Sequence, residues 1–484
     1  MPVNPLAPEW LVEPPDANEL AESVWPANAT RAPGGELMFA GVGAGDLVAQ
    51  FGTPLFVMDE QDVRDRASAV KTAFDRELAR VGSSAKVYYA GKAFLCTEVA
   101  RWVTEAGLYI DVCSGGELAV ALAAGVEPVR LGFHGNNKSF AEIDRAVSTG
   151  VGVIVIDSLI EIERVADAAS RHGRVQRVRL RLNSGVHAHT HEYLATARED
   201  QKFGIPISDA PDAVAEIRSY DSLEFIGLHS HIGSQIFESD GFEESARRLI
   251  ALHAVLLEGG PVPELNLGGG FGIAYTSADV ALPIEVIATR FADIVAGECA
   301  RLGIEVPVVA FEPGRLIVGP TTVTLYEVGT IKDVRVELVE TSAADDGEAS
   351  SGSTRSAIRK YVSVDGGMSD NVRPALYEAD YSARIASRAS GAAPALVRVA
   401  GKHCESGDIV VRADYLPSDV EPGDLLAVAA TGAYCWSLAS NYNYLGRPPV
   451  VAVRDGQARV IVRGETEDDL LSRDTGLETP SEKK

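Results

Sequence analysis

The segment KVYYAGKAFLCTEVARWVTEAGLYIDV, residues 86–112, contains the pattern that decides the fold. A short β-rich run is followed by a stretch with helical apolar spacing and then by a second β-rich run. The same alternation continues to residue 312, and its β-rich runs are Lys86–Ala90, Tyr109–Val112, Val129–Phe133, Val153–Asp157, Val178–Leu182, Glu224–Ser230, Glu264–Leu267 and Val308–Glu312. Alternating strands and helices indicate parallel pairing. Eight such units predict a (β/α)8 TIM-like barrel, with an open doubly wound sheet as the alternative.

The sequence changes after Glu312, where Val-rich runs follow one another without long helices between them. This pattern predicts a separate C-terminal all-β domain, and we expect it to take in N-terminal residues as well. The predicted organisation is an N-terminal lead and start of the β-domain at 1–50, the barrel at 51–320, the β-domain at 321–464 with a flexible insertion at 341–354, and a disordered tail at 465–484.

The composition excludes several classes of protein. Of 484 residues, 46% are hydrophobic, which suits a large buried core and excludes wholesale disorder. The net charge of -25 repels nucleic acid and anionic membranes. Five cysteines, an odd number without a CxxC pair, predict reduced thiols and a cytoplasmic location. No apolar run approaches the roughly 18 residues of a membrane span. Nucleic acid and membranes are therefore poor candidates for partners, whereas a locally basic pocket for a small-molecule anion remains possible.

Functional residues of a barrel of this kind follow the C-terminal ends of its strands. The first predicted strand leads into Ala90-Gly91-Lys92-Ala93, which would place Lys92 at the barrel mouth among apolar and aromatic neighbours. Burial there lowers the pKa of a lysine, and a neutral amine is what Schiff-base chemistry needs. A surface lysine with its ammonium in water is the alternative.

The sixth predicted strand ends in His229-Ser230-His231-Ile232-Gly233-Ser234-Gln235. Two histidines at i and i+2 of a strand point to the same side. They could form a metal pair, although no carboxylate or cysteine is near them in the sequence to complete a site. A ring that stacks on a planar cofactor is equally compatible, and a core histidine followed by a hydroxyl-containing turn is the simplest alternative.

The last two predicted strands end in an anion-binding pattern and in a pair of opposite charges. Gly268-Gly269-Gly270-Phe271-Gly272 lets backbone N–H groups converge on a phosphate, or forms a tight turn with no ligand. Glu312-Pro313-Gly314-Arg315 offers a carboxylate that could keep a heteroaromatic nitrogen protonated and a guanidinium suited to carboxylate or phosphate. An ion pair that closes the barrel is the alternative for Glu312 and Arg315.

The four strand ends together supply an amine, a stacking ring, a phosphate-binding loop and a carboxylate. A cofactor with an aldehyde, an aromatic ring, a phosphate and a ring nitrogen requires these four groups. We therefore expect pyridoxal 5'-phosphate as the cofactor and no metal ion.

The motifs YAGKA, HIGSQ, GGGFG and EPGR resemble those of pyridoxal-phosphate-dependent decarboxylases with the alanine-racemase-like fold. The C-terminal half is similar to the diaminopimelate decarboxylase family within this group. The resemblance covers roughly residues 50 to 455 and includes the motifs Val364–Tyr377, Cys404–Ser406, Gly432–Tyr434, Ser440–Asn443, His134–Lys138 and Lys202–Gly204. It implies decarboxylation of meso-2,6-diaminopimelate to L-lysine and CO2, the last step of lysine biosynthesis.

The resemblance also implies residue roles. Catalytic residues would be Lys92, which holds the cofactor, His231, which stacks on its ring, and Cys404, the proton donor. The residues implied in cofactor binding are Lys92, His231, Ser234, Gly268, Gly269, Gly270, Glu312, Gly314, Arg315 and Tyr434. The residues implied in substrate binding are Arg315, Arg373, Tyr377, Glu405 and Tyr434. A homodimer is implied, in which Cys404 and Glu405 complete the other subunit's site.

Three features depart from the family pattern: His187 within NSGVHAHTH, Leu438 where methionine is usual, and the length of 341–354. None falls on an implied catalytic position. Other functions remain open, namely a basic amino-acid decarboxylase of the ornithine or arginine type, an amino-acid racemase, a non-catalytic pyridoxal-phosphate-binding homeostasis barrel, and a cofactor-free Schiff-base aldolase. Since Arg315, Arg373, Tyr377 and Glu405 offer both signs of charge, they favour diaminopimelate, which carries a distal ammonium and a distal carboxylate.

Overall fold

The computed structural model describes residues 4–186, 202–237, 240–339 and 354–477, and the chain forms two compact units. The barrel unit comprises Gln61–Ile273 and Val280–Gly319. The sheet unit comprises the chain up to Glu60, Ala274–Asp279 and the chain from Pro320 onwards. The departure at His187 and the predicted flexible insertion lie outside the described residues, except for Thr354, which begins a strand.

The secondary structure is numbered here in chain order. The strands are β1 (Ala29–Arg31), β2 (Leu37–Phe39), β3 (Val42–Gly43), β4 (Leu55–Asp59), β5 (Ala85–Ala90), β6 (Tyr109–Val112), β7 (Leu131–Phe133), β8 (Val153–Ile156), β9 (Gln176–Asn183), β10 (Ile205–Pro206), β11 (Leu223–His229), β12 (Glu264–Asn266), β13 (Val308–Phe311), β14 (Thr322–Val339), β15 (Thr354–Val364), β16 (Ala383–Ile385), β17 (Pro394–Ala400), β18 (Ile409–Pro417), β19 (Leu425–Val428), β20 (Val450–Arg454) and β21 (Gln457–Val462). The helices are α1 (Ala44–Phe51), α2 (Glu60–Arg80), α3 (Thr97–Glu105), α4 (Gly115–Ala123), α5 (Phe140–Thr149), α6 (Leu159–Arg171), α7 (Ala210–Ser219), α8 (Asp240–Leu257), α9 (Ile284–Leu302), α10 (Arg315–Val318), α11 (Arg373–Tyr377) and α12 (Glu467–Leu471).

The barrel unit contains a closed sheet of eight parallel strands in the order β5-β6-β7-β8-β9-β11-β12-β13, and β13 pairs with β5. Each predicted strand of the β/α alternation is present, so the prediction of the (β/α)8 barrel is confirmed and the open sheet is excluded. Helices such as α5 carry local start and stop signals. Ser139 and Glu142 form a reciprocal capping box, and Gly150 ends the helix in the left-handed conformation. The parallel order brings the C-terminal ends of all eight strands to one rim.

The sheet unit is built on the order β18-β17-β15-β14-β4-β20-β21, with β19 also paired to β14 and β16 paired to β19. Strand β4 is buried along its length and lies between β14 and β20. Residues 51–60 therefore belong to this sheet unit, whereas the sequence predicted a barrel from residue 51. The small sheet β1-β2-β3 adds further N-terminal residues, as expected.

The start of the predicted disordered tail is ordered. Thr466 and Asp469 form a capping box at the start of α12, which ends at Leu471. Residues 478–484 of that prediction lie outside the described part. Within the described residues, no helix has the length and hydrophobicity needed to cross a bilayer.

Candidate active site

Lys92 lies in a single 3-10 turn, Gly91–Ala93, directly after β5. Its side chain is exposed rather than buried among apolar neighbours as the sequence suggested. Lys92 is near enough to Asp111 and His231 to interact electrostatically with both groups. The turn is close-packed, since a Cβ at Gly91 would lie 2.8 Å from the carbonyl oxygen of Asp111. Lys92 therefore stands at the open end of the barrel with its backbone fixed.

His231, two residues beyond the end of β11, is buried beside the glycine loop. The backbone N–H of Gly269 donates to its Nδ1 at 3.3 Å. Burial and then the charge of Lys92 lower the pKa of His231 well below its usual value. The ring is consequently neutral near pH 7, which allows Nδ1 to act as an acceptor.

The glycine loop Gly268–Gly270 follows β12 and has no space for side chains. A Cβ at Gly269 would lie 2.0 Å from the carbonyl oxygen of Glu312, and one at Gly270 would lie 2.2 Å from that of Gly233. Gly268 has a φ of +71° and Gly270 a φ of +106°, which also favour glycine. The loop therefore brings bare backbone against the ends of the neighbouring strands, the arrangement that a phosphate-binding loop requires.

Two further predicted residues, Ser234 and Arg315, meet across the rim. Arg315 is 5% exposed and begins α10, and its Nη2 donates to Oγ of Ser234 at 2.9 Å. The preceding Gly314 lies against the Lys92 turn, since a Cβ there would be 3.0 Å from the Ala90 carbonyl oxygen and 3.1 Å from the Ala93 side chain. The ends of β5, β11 and β13 are thus in direct contact.

Glu312 is held by neighbours that the sequence did not assign to the site. Nδ2 of Asn266 donates to its Oε1 at 2.7 Å, and Nε2 of His229 lies 3.0 Å from the same oxygen. Nε2 of His134 lies 3.5 Å from the same oxygen of Glu312 and 3.1 Å from Oδ1 of Asp111. Asp111 and Asn266 come at or near strand ends, and reading every strand end in the same way would have found them.

The protonation of this buried group is set by its surroundings. Burial raises the pKa of Glu312, but the histidine contacts outweigh burial and hold it well below its usual value. Burial, together with repulsion from Glu312, raises the pKa of Asp111 well above its usual value. These opposite shifts favour the ionised form of Glu312 and the protonated form of Asp111. Burial lowers the pKa of His134 to about 4, so this ring is neutral as well.

His134, His229 and Glu312 each place a ligand atom within 4.8 Å of the others. Such a set could hold a metal ion, and its carboxylate directly follows β13, far from the histidines in sequence. His231 is not part of this set, because its Nδ1 accepts the N–H of Gly269. His229 and His231 therefore have different neighbours, although only one residue separates them in the sequence.

The residues present at the rim fit pyridoxal 5'-phosphate. The glycine loop and Ser234 offer a cradle that a Cβ would fill, and Arg315 supplies a positive charge beside it. Glu312 is an ionised carboxylate suited to a protonated ring nitrogen, and Lys92 offers an exposed amine. Amine, neutral ring, anion cradle and carboxylate meet at one end of one barrel.

The predicted residues of the C-terminal half belong to the sheet unit. Cys404 and Glu405 are exposed on a short loop that the buried Asp408 carboxylate holds in place. Oδ2 of Asp408 accepts the N–H of His403 at 2.7 Å, and Oδ1 accepts the N–H of Met368 at 2.6 Å. This carboxylate joins the loop of Cys404 to the Gly366–Asn371 motif.

His403 reinforces the same junction. Its Nε2 lies 2.8 Å from Oγ of Ser369, its Nδ1 lies 2.9 Å from Oδ1 of Asn443, and its ring stacks on Tyr442 with centroids 5.1 Å apart. Three motifs that are separate in the sequence therefore form one surface of the sheet unit.

Arg373 is buried, although the sequence indicated a substrate contact. Its Nη1 donates to the hydroxyl of Tyr381, and its guanidinium lies 4.5 Å from the ring centroid of Tyr275. Tyr377 at the end of α11 and Tyr434, whose φ is +63°, are half-buried. Tyr275 and Tyr381 were not foreseen, because neither belongs to a recognisable motif.

Comparisons with known proteins cover both units. Residues 60–319 match the family model "Pyridoxal-dependent decarboxylase, pyridoxal binding domain", and residues 276–432 match "Pyridoxal-dependent decarboxylase, C-terminal sheet domain". The diaminopimelate decarboxylase of Mycobacterium tuberculosis is 52% identical over 461 residues, which are 94% of this chain and 98% of the relative. That of Corynebacterium efficiens is 46% identical over 94% of this chain and 95% of the relative. The crystal structure of diaminopimelate decarboxylase from M. jannaschii in co-complex with L-lysine has a TM-score of 0.80 and 30% identity, over 92% of this chain and 97% of that one.

Proposed function

The chain belongs to the pyridoxal-dependent decarboxylase family, and we propose that it converts meso-2,6-diaminopimelate to L-lysine and CO2 as the last step of lysine biosynthesis. Relatives that are called diaminopimelate decarboxylase share about half of its residues over 94% of its length. The observation that carries the proposal is the convergence of Lys92, His231, the glycine loop and Glu312 at one rim of the barrel.

Pyridoxal 5'-phosphate supplies an electron sink for the pair of electrons left when CO2 departs from the substrate's α-carbon. Lys92 would hold its aldehyde carbon, and Gly268–Gly270, Ser234, Gly314 and Arg315 would bind its phosphate. His231 would lie on its ring, with Tyr434 as a further contact. These assignments are supported by the type of each side chain and by its place at a strand end or in a motif.

Glu312 would keep the ring nitrogen protonated, because it is ionised and its Oε1 accepts the amide of Asn266, with the ring of His229 beside it. The neutral His231 adds no second positive charge beside that nitrogen. Glu312 and the neutral His231 would together favour a proton on the ring nitrogen, which would increase the electron demand of the cofactor.

The substrate requires recognition of both charges at its distal end. Arg315, Arg373 and Tyr377 would bind carboxylate, and Glu405 would bind the distal ammonium. An acid alone suffices for ornithine, which has no distal carboxylate. The combination of signs supports diaminopimelate over a basic amino acid.

We also propose a homodimer in which Cys404 and Glu405 complete the site of the other subunit, with Cys404 returning a proton to the α-carbon. The exposure of both side chains on a loop fixed by Asp408 supports this role. Since a thiol can donate only while it is protonated, the proton would be on Cys404 when CO2 leaves. We place the enzyme in the cytoplasm, where its five free cysteines stay reduced.

The function is tested by incubating the purified holoenzyme with meso-diaminopimelate and measuring lysine and CO2. We expect equimolar products from the wild type and none from Lys92→Ala. Robust turnover by Lys92→Ala would contradict the role of that amine. Release of CO2 from ornithine or arginine but not from diaminopimelate would refute the substrate, and epimerisation without CO2 would indicate a racemase.

A further inference from the structure

The end of the barrel opposite Lys92 contains an open cavity of about 300 Å³. It is lined by residues at the starts of the parallel strands, such as Lys86 on β5, Tyr109 on β6 and Arg177 on β9. Val129 on its edge is 59% exposed, so the cavity communicates with solvent. Its volume is at the lower end of the range for small-molecule sites.

The inner wall of this cavity is charged, whereas barrel interiors are usually filled by branched apolar side chains. Glu264, which is 2% exposed, accepts hydrogen bonds from Lys86 and, at 3.2 Å, from Arg177. Its second oxygen accepts from the fully buried Arg179, which also donates to the hydroxyl of Tyr88 at 3.2 Å. Burial raises the pKa of Glu264, but Arg179 and Lys86 outweigh burial and lower it. One carboxylate thus orients three cations.

Arg130 on the cavity wall has donor capacity left over. Its guanidinium lies 5.3 Å from the ring centroid of Tyr109, and its Nη2 donates to the carbonyl oxygen of Leu108 at 3.2 Å. Its Nε is buried and has no hydrogen-bond partner. The ring of Tyr109 also lies 5.9 Å from Nζ of Lys86, so both cations contact the same aromatic ring. This guanidinium is positioned by contacts that leave N–H groups for a ligand.

The balance of charge favours an anion. Lys86, Arg130 and Arg177 line the cavity, against the single carboxylate of Glu127. Part of the negative charge of Glu264, which lies behind the wall, is neutralised by its ion pair with Arg179. The carboxylate of Glu224 lies 3.7 Å from Arg177, but its side chain is 54% exposed and therefore solvated. In a chain of net charge -25, such a positive cavity is a local exception that attracts small anions.

We propose that this cavity is a binding site for a small organic dianion, either a dicarboxylate or a phosphomonoester. Two separated cationic groups suit two negative oxygens, and a guanidinium binds carboxylate and phosphate with the same geometry. The tyrosine rings provide apolar surface for the short carbon chain between the charges. The site is distinct from the rim that holds the glycine loop, and it does not depend on the decarboxylation chemistry.

The test is calorimetric titration of the holoenzyme, loaded with pyridoxal phosphate so that the phosphate cradle at the rim is filled and then desalted so that no free phosphomonoester competes for the cavity. Succinate and inorganic phosphate serve as separate probes. We expect saturable binding of one or both to the wild type, and about tenfold weaker binding to Arg130→Gln because one charge-assisted contact is lost. Binding of succinate alone assigns the site to dicarboxylates, and binding of phosphate alone assigns it to phosphomonoesters.

Two further variants keep the test decisive. Arg164→Gln is the matched control, since Arg164 also stacks on an aromatic ring, Phe140, at 4.7 Å but lies outside the cavity. It should bind like the wild type. Glu127→Gln removes the only carboxylate among the described lining residues, from an exposed position, and should tighten binding about twofold or more. Absence of saturable binding to the wild type, or equal binding by wild type and Arg130→Gln, would overturn the proposal. Lysine formation by Arg130→Gln should be unchanged, so failure here and failure of the proposed function are distinguishable.

Discussion

The backbone N–H of Gly269 donates to Nδ1 of His231 at 3.3 Å, although the two residues are 38 positions apart in the chain. This bond ties the loop after β12 to the segment after β11 and fixes the tautomer of the ring, with its proton on Nε2. A Cβ at Gly268 would already lie 3.0 Å from the same nitrogen. The glycine loop and the ring of His231 are therefore one structural unit, and the first prediction concerns it.

Gly269→Ala should weaken cofactor binding by at least about tenfold, because the added Cβ meets the carbonyl oxygen of Glu312 at 2.0 Å and the loop must move. The measurement is titration of the apoenzyme with pyridoxal phosphate, followed by its absorbance. Gly297→Ala in α9 is the control, since its Cβ meets nothing within 4 Å. It should leave affinity unchanged and raise stability by about 0.5–1 kcal/mol. Equal affinities in the two variants would contradict the phosphate role of the loop.

Asn266→Ala should lower kcat/KM about 10- to 100-fold by removing a hydrogen bond to the charged Glu312. Asn266 donates to Glu312 at 2.7 Å and accepts the N–H of Gly268 at 2.8 Å, so it positions both the carboxylate and the loop. Steady-state assays with meso-diaminopimelate measure the effect. Asn28→Ala removes a comparable bond, to Asp59 at 2.8 Å in the sheet unit, and should leave kcat/KM intact. A similar loss in both variants would point to general destabilisation.

Asp408→Ala should reduce kcat about tenfold or more while leaving the cofactor spectrum unchanged. The variant leaves the N–H groups of Met368 and His403 without their acceptor, which costs about 1–3 kcal/mol each and releases the loop that carries Cys404. Paired measurements of turnover and of cofactor absorbance check this. Asp455→Ala, at an 86% exposed carboxylate, is the control. A full-rate Asp408→Ala enzyme would show that the loop does not position the proton donor.

Mixing Lys92→Ala subunits with Cys404→Ala subunits should restore activity that neither variant has alone. If each site takes Lys92 from one subunit and Cys404 from the other, a mixed dimer contains one intact site. Random exchange of equal amounts then gives about a quarter of wild-type activity. The assay is lysine formation after denaturation and joint refolding. A mixture as inactive as its components, with dimers confirmed by light scattering, would place both residues in the same subunit's site.

Because His253 is buried, the free energy of unfolding should fall as the pH is lowered from 6.5 to about 4. His253 is 2% exposed, and burial lowers its pKa to about 4. The unfolded chain takes up the proton first, so this contribution to stability is complete above pH 6.5 and is lost on the way down to pH 4, by roughly 3 kcal/mol at most. His253→Gln should lose this pH dependence in urea unfolding curves between pH 4.5 and 7.5. The variant His172→Gln, at an exposed histidine, should keep it. Parallel curves for wild type and His253→Gln would contradict the assignment.

The sequence indicated most of the barrel rim because each of its motifs lies within a few residues of a strand end. Lys92, His231, Gly268–Gly270 and Glu312 could be found in this way, since strand periodicity and the glycine run are local signals. The exposure of Lys92 and the burial of Arg373 could not, because burial depends on which other segments cover a side chain. The start of the barrel unit at Gln61 was also missed, since β4 is as apolar as a barrel strand and only its partners β14 and β20 assign it to the sheet unit.

By itself, the sequence determined the alternation of eight strands with helices, the change to an all-β unit and the residue types at each strand end, because these follow from short-range periodicity. Only the tertiary structure decided that Asp111, His134, His229 and Asn266 surround Glu312, and that Glu264 gathers three cations at the far end of the barrel. The physical reason is that closing the sheet brings β13 next to β5. Protonation and charge balance are then set by distances between strands that no local pattern encodes.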